Sequence, residues 1–241
     1  MKIEIAPSIL ASDFTRLREE IKRAEELGAD RLHIDVMDGV FVPNITIGQV
    51  VVEGIRKVTS LFLDVHLMIE KPHRYFRSFH SAGADQITFH IEEYGKPLPP
   101  RYSYPKKIER VDEGELKKRI EEVKELGIKV CLAYNPPTPL LGSSLFPSLD
   151  EILIMTVNPG FGGQELIPST IRKIRNLRKI YPGKIKVDGG VNEKTLPKIL
   201  EAGANVLVMG TFFFRNPEIA KTLKWLKGNY LESKPPSEES L

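Results

Sequence analysis

Four ionisable side chains interrupt otherwise apolar runs at three places in the chain. His33 and Asp35 alternate with apolar residues in the run LHIDVM, His66 lies in a second such run, and Asp188 ends a third. Because the side chains of a strand alternate between its two faces, His33 and Asp35 share one face with Met37. Burying several ionisable groups in one place is costly unless they pair with one another or coordinate a cation.

Two histidines and two aspartates form a mixed set of nitrogen and oxygen ligands. Such a set suits Zn²⁺, Fe²⁺, Mn²⁺ or Co²⁺ better than Ca²⁺ or Cu⁺. Each residue taken singly has another explanation, because a strand histidine can be a hydrogen-bonded core residue and an aspartate at a strand end can cap the next helix. The spacing alone therefore leaves open both a metal site and a hydrogen-bonded cluster.

Glycine-rich turns follow three apolar runs in the second half of the chain. They are Gly160-Phe161-Gly162-Gly163, Gly189-Gly190 and Gly210-Thr211. Glycine lets the backbone approach an anion and point its N–H groups at it. A tight turn or a flexible loop explains one such segment equally well. Three in succession favour a phosphate-binding site.

The elements that must position these residues are short apolar runs alternating with longer amphipathic segments, a pattern typical of βα units around a parallel sheet. The predicted strands are residues 3–9, 31–36, 61–68, 86–90, 129–133, 151–157, 184–187 and 206–209. One predicted helix has an apolar stripe at Phe14, Leu17, Ile21, Ala24 and Leu27. Glycines at positions 28, 83, 127 and 203 are predicted to end helices just before strands. Eight such units favour a single-domain α/β fold, the (β/α)8 TIM barrel, over an open doubly wound sheet.

Two segments depart from this rhythm. Residues 94–114 contain four prolines and no periodicity, which predicts a long βα loop at the active-site end, either a lid or surface decoration. Residues 229–241 have few apolar residues and are expected to form a flexible tail. We therefore expect the catalytic barrel to occupy residues 1–228.

The composition excludes several classes of protein. With 41% hydrophobic and 28% charged residues among 241, the chain is too apolar to be disordered, and its single cysteine rules out a disulfide scaffold. The 35 basic and 32 acidic residues are interspersed and give a net charge of +3, which is unlike a nucleic-acid-binding segment. We expect a cytoplasmic protein with no leader, no membrane segment and a buried, unreactive Cys131.

Six segments spread over nearly the whole chain match motifs of a known family. They are APSIL (6–10), LHIDVMDGVFVPNITIG (32–48), DVHLM (64–68), FHIE (89–92), MTVNPGFGGQ (155–164) and VDGGV (187–191). In these segments the chain resembles the ribulose-phosphate 3-epimerase family. The resemblance implies a ribulose-phosphate-binding TIM barrel that interconverts D-ribulose 5-phosphate and D-xylulose 5-phosphate, a step of the pentose phosphate pathway. It also implies a homo-oligomer.

The resemblance assigns roles residue by residue. It implies that His33, Asp35, His66 and Asp188 bind one divalent metal, whose identity among Zn, Fe(II), Mn and Co stays open. Asp35 and Asp188 would also transfer the two protons, through an enediolate. The implied substrate-binding residues are Ser8, Met37, His66, Met68, Met155, Gly160, Phe161, Gly162, Gly163, Gly189, Gly190, Gly210 and Thr211. Without the motifs, the methionines would be interpreted as core residues.

Three features depart from the family pattern. The 94–114 insertion and Tyr134, where an aliphatic residue is more common, are expected to alter access to the site. Phe212 follows Gly210-Thr211 where the family usually has Gly-Ser and a small residue, which is expected to change the packing behind the phosphate. A ketohexose 6-phosphate such as D-allulose 6-phosphate is therefore an alternative substrate. A non-catalytic sugar-phosphate-binding barrel is an alternative function.

Overall fold

The computed structural model describes residues 2–97 and 104–228. Within these residues, eight parallel strands form one sheet. The strands are β1 (Glu4–Pro7), β2 (Arg31–Met37), β3 (Phe62–Met68), β4 (Gln86–His90), β5 (Lys129–Tyr134), β6 (Glu151–Met155), β7 (Lys184–Asp188) and β8 (Val206–Met209). Each pairs with the next along the chain from β2 to β8, and β8 pairs with β1.

The sheet closes on itself where β1 meets β2. Ser8 and His33 form a parallel bridge there, and the Asp30 N–H donates to the Ile5 carbonyl at 3.0 Å. The junction of β1 and β2, called the seam below, completes the ring of eight strands. The predicted (β/α)8 barrel is thereby confirmed.

Helices surround the ring and bury one face each against it. They are α1 (Leu17–Glu26), α2 (Gln49–Arg56), α3 (Phe76–Ser81), α4 (Glu113–Glu125), α5 (Ser169–Ile180), α6 (Leu196–Glu201), α7 (Thr211–Arg215) and α8 (Ile219–Gly228). Short 3-10 helices are Ile9–Ala11, Phe14–Arg16, Pro72–Arg74, Ile91–Tyr94 and Ser143–Ser148. The last of these takes the place of an α-helix between β5 and β6.

The predicted strands agree with the structure to within one or two residues at each end. β1 ends earlier than predicted because the Ser8 side chain accepts a hydrogen bond from the Leu10 N–H at 3.3 Å and starts a 3-10 turn. Four predicted helix-ending glycines, at positions 28, 83, 127 and 203, all have positive φ. The predicted apolar stripe of α1 is buried at Ile21 and Ala24, but Phe14 precedes the helix and is exposed.

The prediction that residues 94–114 form an irregular loop is wrong for part of the segment. Gly95–Pro97 and Ile108–Val111 pair as an antiparallel hairpin, and α4 begins at Glu113. A Cβ atom on Gly95 would lie 2.4 Å from Cδ1 of the buried Ile108, so the glycine lets the apolar side chain cover the opposite strand. That pairing, which hydrophobic periodicity does not reveal, orders both ends of the insertion.

Three further expectations concern the rest of the chain. Cys131 is fully buried, and burial raises the pKa of its thiol to about 12, as expected for an unreactive cysteine. Among the described residues, no helix combines the length and apolar character that a membrane span requires. The predicted tail, residues 229–241, lies outside the described residues.

Buried charges fill the lower half of the barrel interior. Arg31 contacts Glu4 and Glu151 at the end where the strands begin. One level higher, Lys186 contacts the Asp64 carboxylate, and neither side chain has any exposed surface. The ammonium group of Lys186 also donates to the Thr88 hydroxyl at 3.0 Å. Such pairs are tolerated because each buried charge has an opposite charge and hydrogen bonds around it.

We expect Lys186→Met to lower the free energy of unfolding by about 3–5 kcal/mol, because it leaves the buried Asp64 carboxylate without its cation. The matched control is Lys184→Met on the same strand, where the side chain is 43% exposed and pairs with Glu4. This change is expected to lower the free energy by less than about 1 kcal/mol. Urea denaturation of both variants measures the difference, and equal losses would contradict the role given to Lys186.

Candidate active site

A cavity of about 620 Å³ lies at the end of the barrel where the strands finish. Its lining includes every predicted substrate-binding residue except His66, which has no exposed surface. These residues are Ser8, Met37, Met68, Met155, Gly160, Phe161, Gly162, Gly163, Gly189, Gly190, Gly210 and Thr211. Asp35 and Asp188 also line the cavity.

Four predicted metal ligands converge on one point at the cavity floor. The Nε2 atom of His33 lies 3.3 Å from Nδ1 of His66 and 3.2 Å from Oδ1 of Asp35. His66 Nδ1 is 3.1 Å from the same Asp35 oxygen, and both ring nitrogens are 3.9 Å from Oδ2 of Asp188. The strand register explains this convergence, because Asp35 on β2 lies beside His66 on β3.

The spacing of these four atoms fits a divalent cation. Ligands 2.0–2.1 Å from a tetrahedral ion are about 3.4 Å apart, and here the pairs given above are 3.1–3.9 Å apart, with all four atoms within 4.8 Å of one another. Two imidazole nitrogens and two carboxylate oxygens match the preferences of Zn²⁺, Fe²⁺, Mn²⁺ and Co²⁺. The cluster can therefore hold one such ion with little rearrangement.

The surroundings of Asp35 keep it ionised. Its Oδ2 atom accepts a hydrogen bond from the Ser8 hydroxyl at 2.6 Å, across the seam. Burial acts to raise the pKa of Asp35, but the neighbouring His33 and its hydrogen bonds outweigh burial and hold the pKa well below its usual range. Burial acts in the opposite sense on His33, and there the Asp35 and Asp64 carboxylates raise the pKa to about 10.

Asp188 titrates in a different range from Asp35. Burial and the negative charge of Asp35 raise the pKa of Asp188 to about 7. The Asp188 side chain is 17% exposed, whereas that of Asp35 is 5% exposed. Two carboxyl groups that lie close together and differ in pKa can hold opposite protonation states near neutral pH. This arrangement suits one proton acceptor and one proton donor.

The glycine turns meet at one side of the cavity. Cβ atoms on Gly162 and Gly163 would lie 4.0 and 3.9 Å from the Thr211 hydroxyl oxygen, so the loops after β6 and β8 adjoin. Gly190 has a φ of +63°, and a Cβ atom there would lie 2.5 Å from the backbone nitrogen of Leu166. A side chain at position 190 would therefore clash with the backbone of the loop after β6.

The three departures from the family pattern have different places in the structure. Tyr104, from the insertion, donates its hydroxyl to the carbonyl of Pro159 in the glycine loop. Phe212 lines the cavity next to the Gly210-Thr211 turn. Tyr134 does not border the cavity, so the expectation that it alters access is wrong: it is buried among the outer core residues, and its hydroxyl donates to the Leu141 carbonyl at 2.7 Å.

Sequence reasoning missed several residues that line the cavity. Arg215 at the end of α7 adds a positive charge near the glycine turns, and Leu10, Gln164 and Asn192 also line the cavity. The signal for Arg215 was present, because it comes one helical turn after the last glycine turn.

Comparisons with known proteins place this chain in a family. Residues 4–100 and 106–214 match the model of the ribulose-phosphate 3 epimerase family. A ribulose-phosphate 3-epimerase of Bacillus subtilis is 44% identical over 234 residues, covering 94% of this chain and 99% of the relative. One from Methanocaldococcus jannaschii is 39% identical over 237 residues, covering 96% and 92%. The chain belongs to the ribulose-phosphate 3-epimerase family and is an isomerase.

Among solved structures, a mutant tryptophan synthase alpha-subunit from Pyrococcus furiosus superposes with a TM-score of 0.61 at 15% identity. The match covers 94% of this chain and 96% of that one. This likeness supports the barrel fold alone. The expected homo-oligomer and cytoplasmic location stay predictions.

We expect divalent-metal affinity to rise with pH. With pKa values of about 10 for His33 and about 7 for Asp188, both groups hold a proton in the metal-free protein at pH 6, and only His33 does at pH 8. A metal must displace these protons, so acidification weakens binding and each binding event releases protons. Competition with a chelating dye from pH 6 to 8, together with calorimetry in buffers of different ionisation enthalpy, measures both effects. Affinity that does not change with pH would contradict this prediction.

Proposed function

We propose that this protein is a metal-dependent epimerase that interconverts D-ribulose 5-phosphate and D-xylulose 5-phosphate. One observation carries the proposal: Asp35 and Asp188 present carboxylate oxygens within 4.8 Å of each other from strands β2 and β7. β8 and β1 separate these strands around the ring, so the two groups reach the cavity floor from different sides. The names of the relatives supply the substrate class.

Inverting a carbon next to a ketone requires a proton acceptor on one face and a proton donor on the other. One carboxylate removes the C3 proton, and the electron pair of the C–H bond moves toward the adjacent carbonyl to give an enediolate. The other carboxyl group then donates a proton to the opposite face of C3. Ser8, which donates to Asp35, holds that carboxylate in place for the transfer.

A divalent cation, when bound by His33, Asp35, His66 and Asp188, would supply Lewis-acid stabilisation of the developing negative charge. Met37, Met68 and Met155 line the cavity above the cluster. Their thioethers form an apolar wall with no proton to donate, so the carboxyl groups meet little competition for the reacting carbon. The glycine turns and Arg215 are placed to receive the phosphate at the cavity edge.

We expect the purified protein to epimerise D-ribulose 5-phosphate, to lose activity on chelation and to regain it with a divalent ion. Asp188→Asn removes one of the two proton-transfer groups and is expected to lower kcat by about 10²–10⁴-fold. Coupled assays measure turnover, and NMR in deuterated water measures exchange of the C3 proton. Glu193→Gln, an exposed carboxyl group on the loop after β7, is the matched control and should behave as wild type.

The same assay separates the alternatives. A higher kcat/KM for D-allulose 6-phosphate than for the pentose phosphate would change the proposed substrate but leave the proposed reaction unchanged. Binding of the pentose phosphate without exchange of the C3 proton would indicate a non-catalytic sugar-phosphate-binding barrel. That result would overturn the proposal.

We further propose that the insertion steadies the glycine loop. Tyr104 lies in residues 101–105, between the two ranges that match the family, and its hydroxyl donates a hydrogen bond to the Pro159 carbonyl. The Asn44 side-chain amide donates a hydrogen bond to the next carbonyl, that of Gly160, at 2.7 Å. Two side chains from different loops thereby fix the start of the glycine turn on which phosphate binding depends.

We expect Tyr104→Phe to raise KM about 2- to 10-fold, because one hydrogen bond that holds the loop is lost, whereas kcat stays the same. Steady-state kinetics of this variant check the prediction. Tyr75→Phe, in an exposed tyrosine at the start of α3, is the control. Wild-type KM in Tyr104→Phe would show that the insertion only decorates the surface.

A further inference from the structure

We propose that His90 and Glu92 are positioning residues that determine which nitrogen His66 offers to the metal. The proposal rests on the metal site proposed above. Both residues belong to the FHIE segment, to which the resemblance assigns no role. Neither contacts the point where the four ligand atoms converge, and both act through His66.

Three side chains and one backbone group form a continuous chain behind the metal ligand. The Nε2 atom of His66 lies 2.9 Å from Nε2 of His90, and His90 Nδ1 lies 3.0 Å from Oε2 of Glu92. The other Glu92 oxygen accepts the backbone N–H of Asn135 at 2.8 Å. His66, His90 and Glu92 have no exposed surface, so their polar atoms must be satisfied inside the protein.

The positions of the protons follow from what each group can donate or accept. Both oxygens of an ionised Glu92 accept hydrogen bonds, so His90 must donate through Nδ1. The Nε2 atom of a neutral His90 then carries a lone pair and accepts from the N–H at Nε2 of His66. This leaves the lone pair of His66 on Nδ1, the atom that faces His33, Asp35 and Asp188. The carboxylate thus selects the metal-binding tautomer across one intervening ring.

The surrounding structure holds this chain rigidly. The planes of the His90 and His66 rings lie 19° apart with centroids 5.0 Å apart, and the His90 ring is tilted against Phe41 at 4.7 Å. Glu92 lies in the 3-10 helix that directly follows β4. Its partner Asn135 is anchored in turn, because Lys173 donates to the Asn135 carbonyl at 2.8 Å.

The other histidine ligand has a shorter version of the same support. His33 directs Nδ1 to the Asp64 carboxylate at 2.9 Å and its Nε2 to the metal cluster. Each histidine ligand therefore has a buried carboxylate behind it, directly for His33 and through His90 for His66. A carboxylate behind a histidine ligand fixes its orientation and strengthens metal binding.

The test replaces one atom of the chain. In Glu92→Gln, the amide oxygen is needed by the Asn135 N–H, so the amide NH₂ group faces Nδ1 of His90 and donates to it. This reverses every donor along the chain and places a proton on Nδ1 of His66, where the metal should bind. We expect the Kd for Zn²⁺, measured by dye competition, to rise about 10- to 100-fold.

Glu93→Gln is the matched control. Glu93 lies in the same turn and accepts hydrogen bonds from the Lys71 N–H at 2.8 Å and from Lys106 Nζ at 2.5 Å. It loses the same charge without touching His90, so its Kd for Zn²⁺ should match that of wild type. Equal Kd values for the Glu92→Gln variant and wild type would overturn the proposal.

Imidazole nitrogen NMR of the zinc-loaded wild-type protein gives a second readout that needs no variant. We expect His66 to carry its proton on Nε2 and His90 on Nδ1. A proton on Nε2 of His90 would overturn the proposal even if Glu92→Gln fails to fold. A wild-type protein that binds no Zn²⁺, Fe²⁺, Mn²⁺ or Co²⁺ would overturn the metal site itself, and the positioning role with it.

Discussion

The Asp64 carboxylate, buried at the centre of the barrel, is the group on which the rest of the interior depends. One of its oxygens contacts both Lys186 and His33, and the other accepts hydrogen bonds from Thr88 and Gln86 at 2.8 and 3.0 Å. Burial acts to raise the pKa of Asp64, but its cationic neighbours hold the pKa well below the usual range. A single ionised group therefore joins the ion pairs in the lower half of the barrel to a histidine of the active site.

Much of this arrangement could be predicted because a strand has a period of two. Alternation placed His33, Asp35 and Met37 inside the barrel, and Ile34 and Val36 outside, where they join the core beneath the helices. The same rule, applied two residues earlier, would have placed Asp64 below His66 and Lys186 below Asp188. Asp64 and Lys186 lie one layer below the strand ends, so the rule that barrel sites lie at those ends does not point to them.

Other features depend on contacts between distant parts of the chain. No local pattern brings Lys186 to Asp64, 122 positions away. The hairpin in the insertion depends on Ile108 covering Gly95. The prolines of the insertion interrupt its sequence pattern, so no local pattern indicates the pairing. Tyr134 was expected at the site because it lies near a strand end. Its side chain points outward instead, where its ring packs against Phe146 and its hydroxyl donates to the Leu141 carbonyl. Orientation at a strand end depends on where the strand stops, which is the least predictable property of an element.

The seam has a consequence for how the chain is made. β1 pairs along its whole length with β8, but at the seam it meets β2 only through the bridge of Ser8 with His33 and the hydrogen bond from the Asp30 N–H to the Ile5 carbonyl. During synthesis from the N-terminus, β1 must therefore wait for a partner that emerges some two hundred residues later. Until β8 leaves the ribosome, the ring cannot close between β7 and β1, because β8 lies between these two strands. The side of the barrel between Asp188 on β7 and Ser8 after β1 is thus completed only by the last strand to appear.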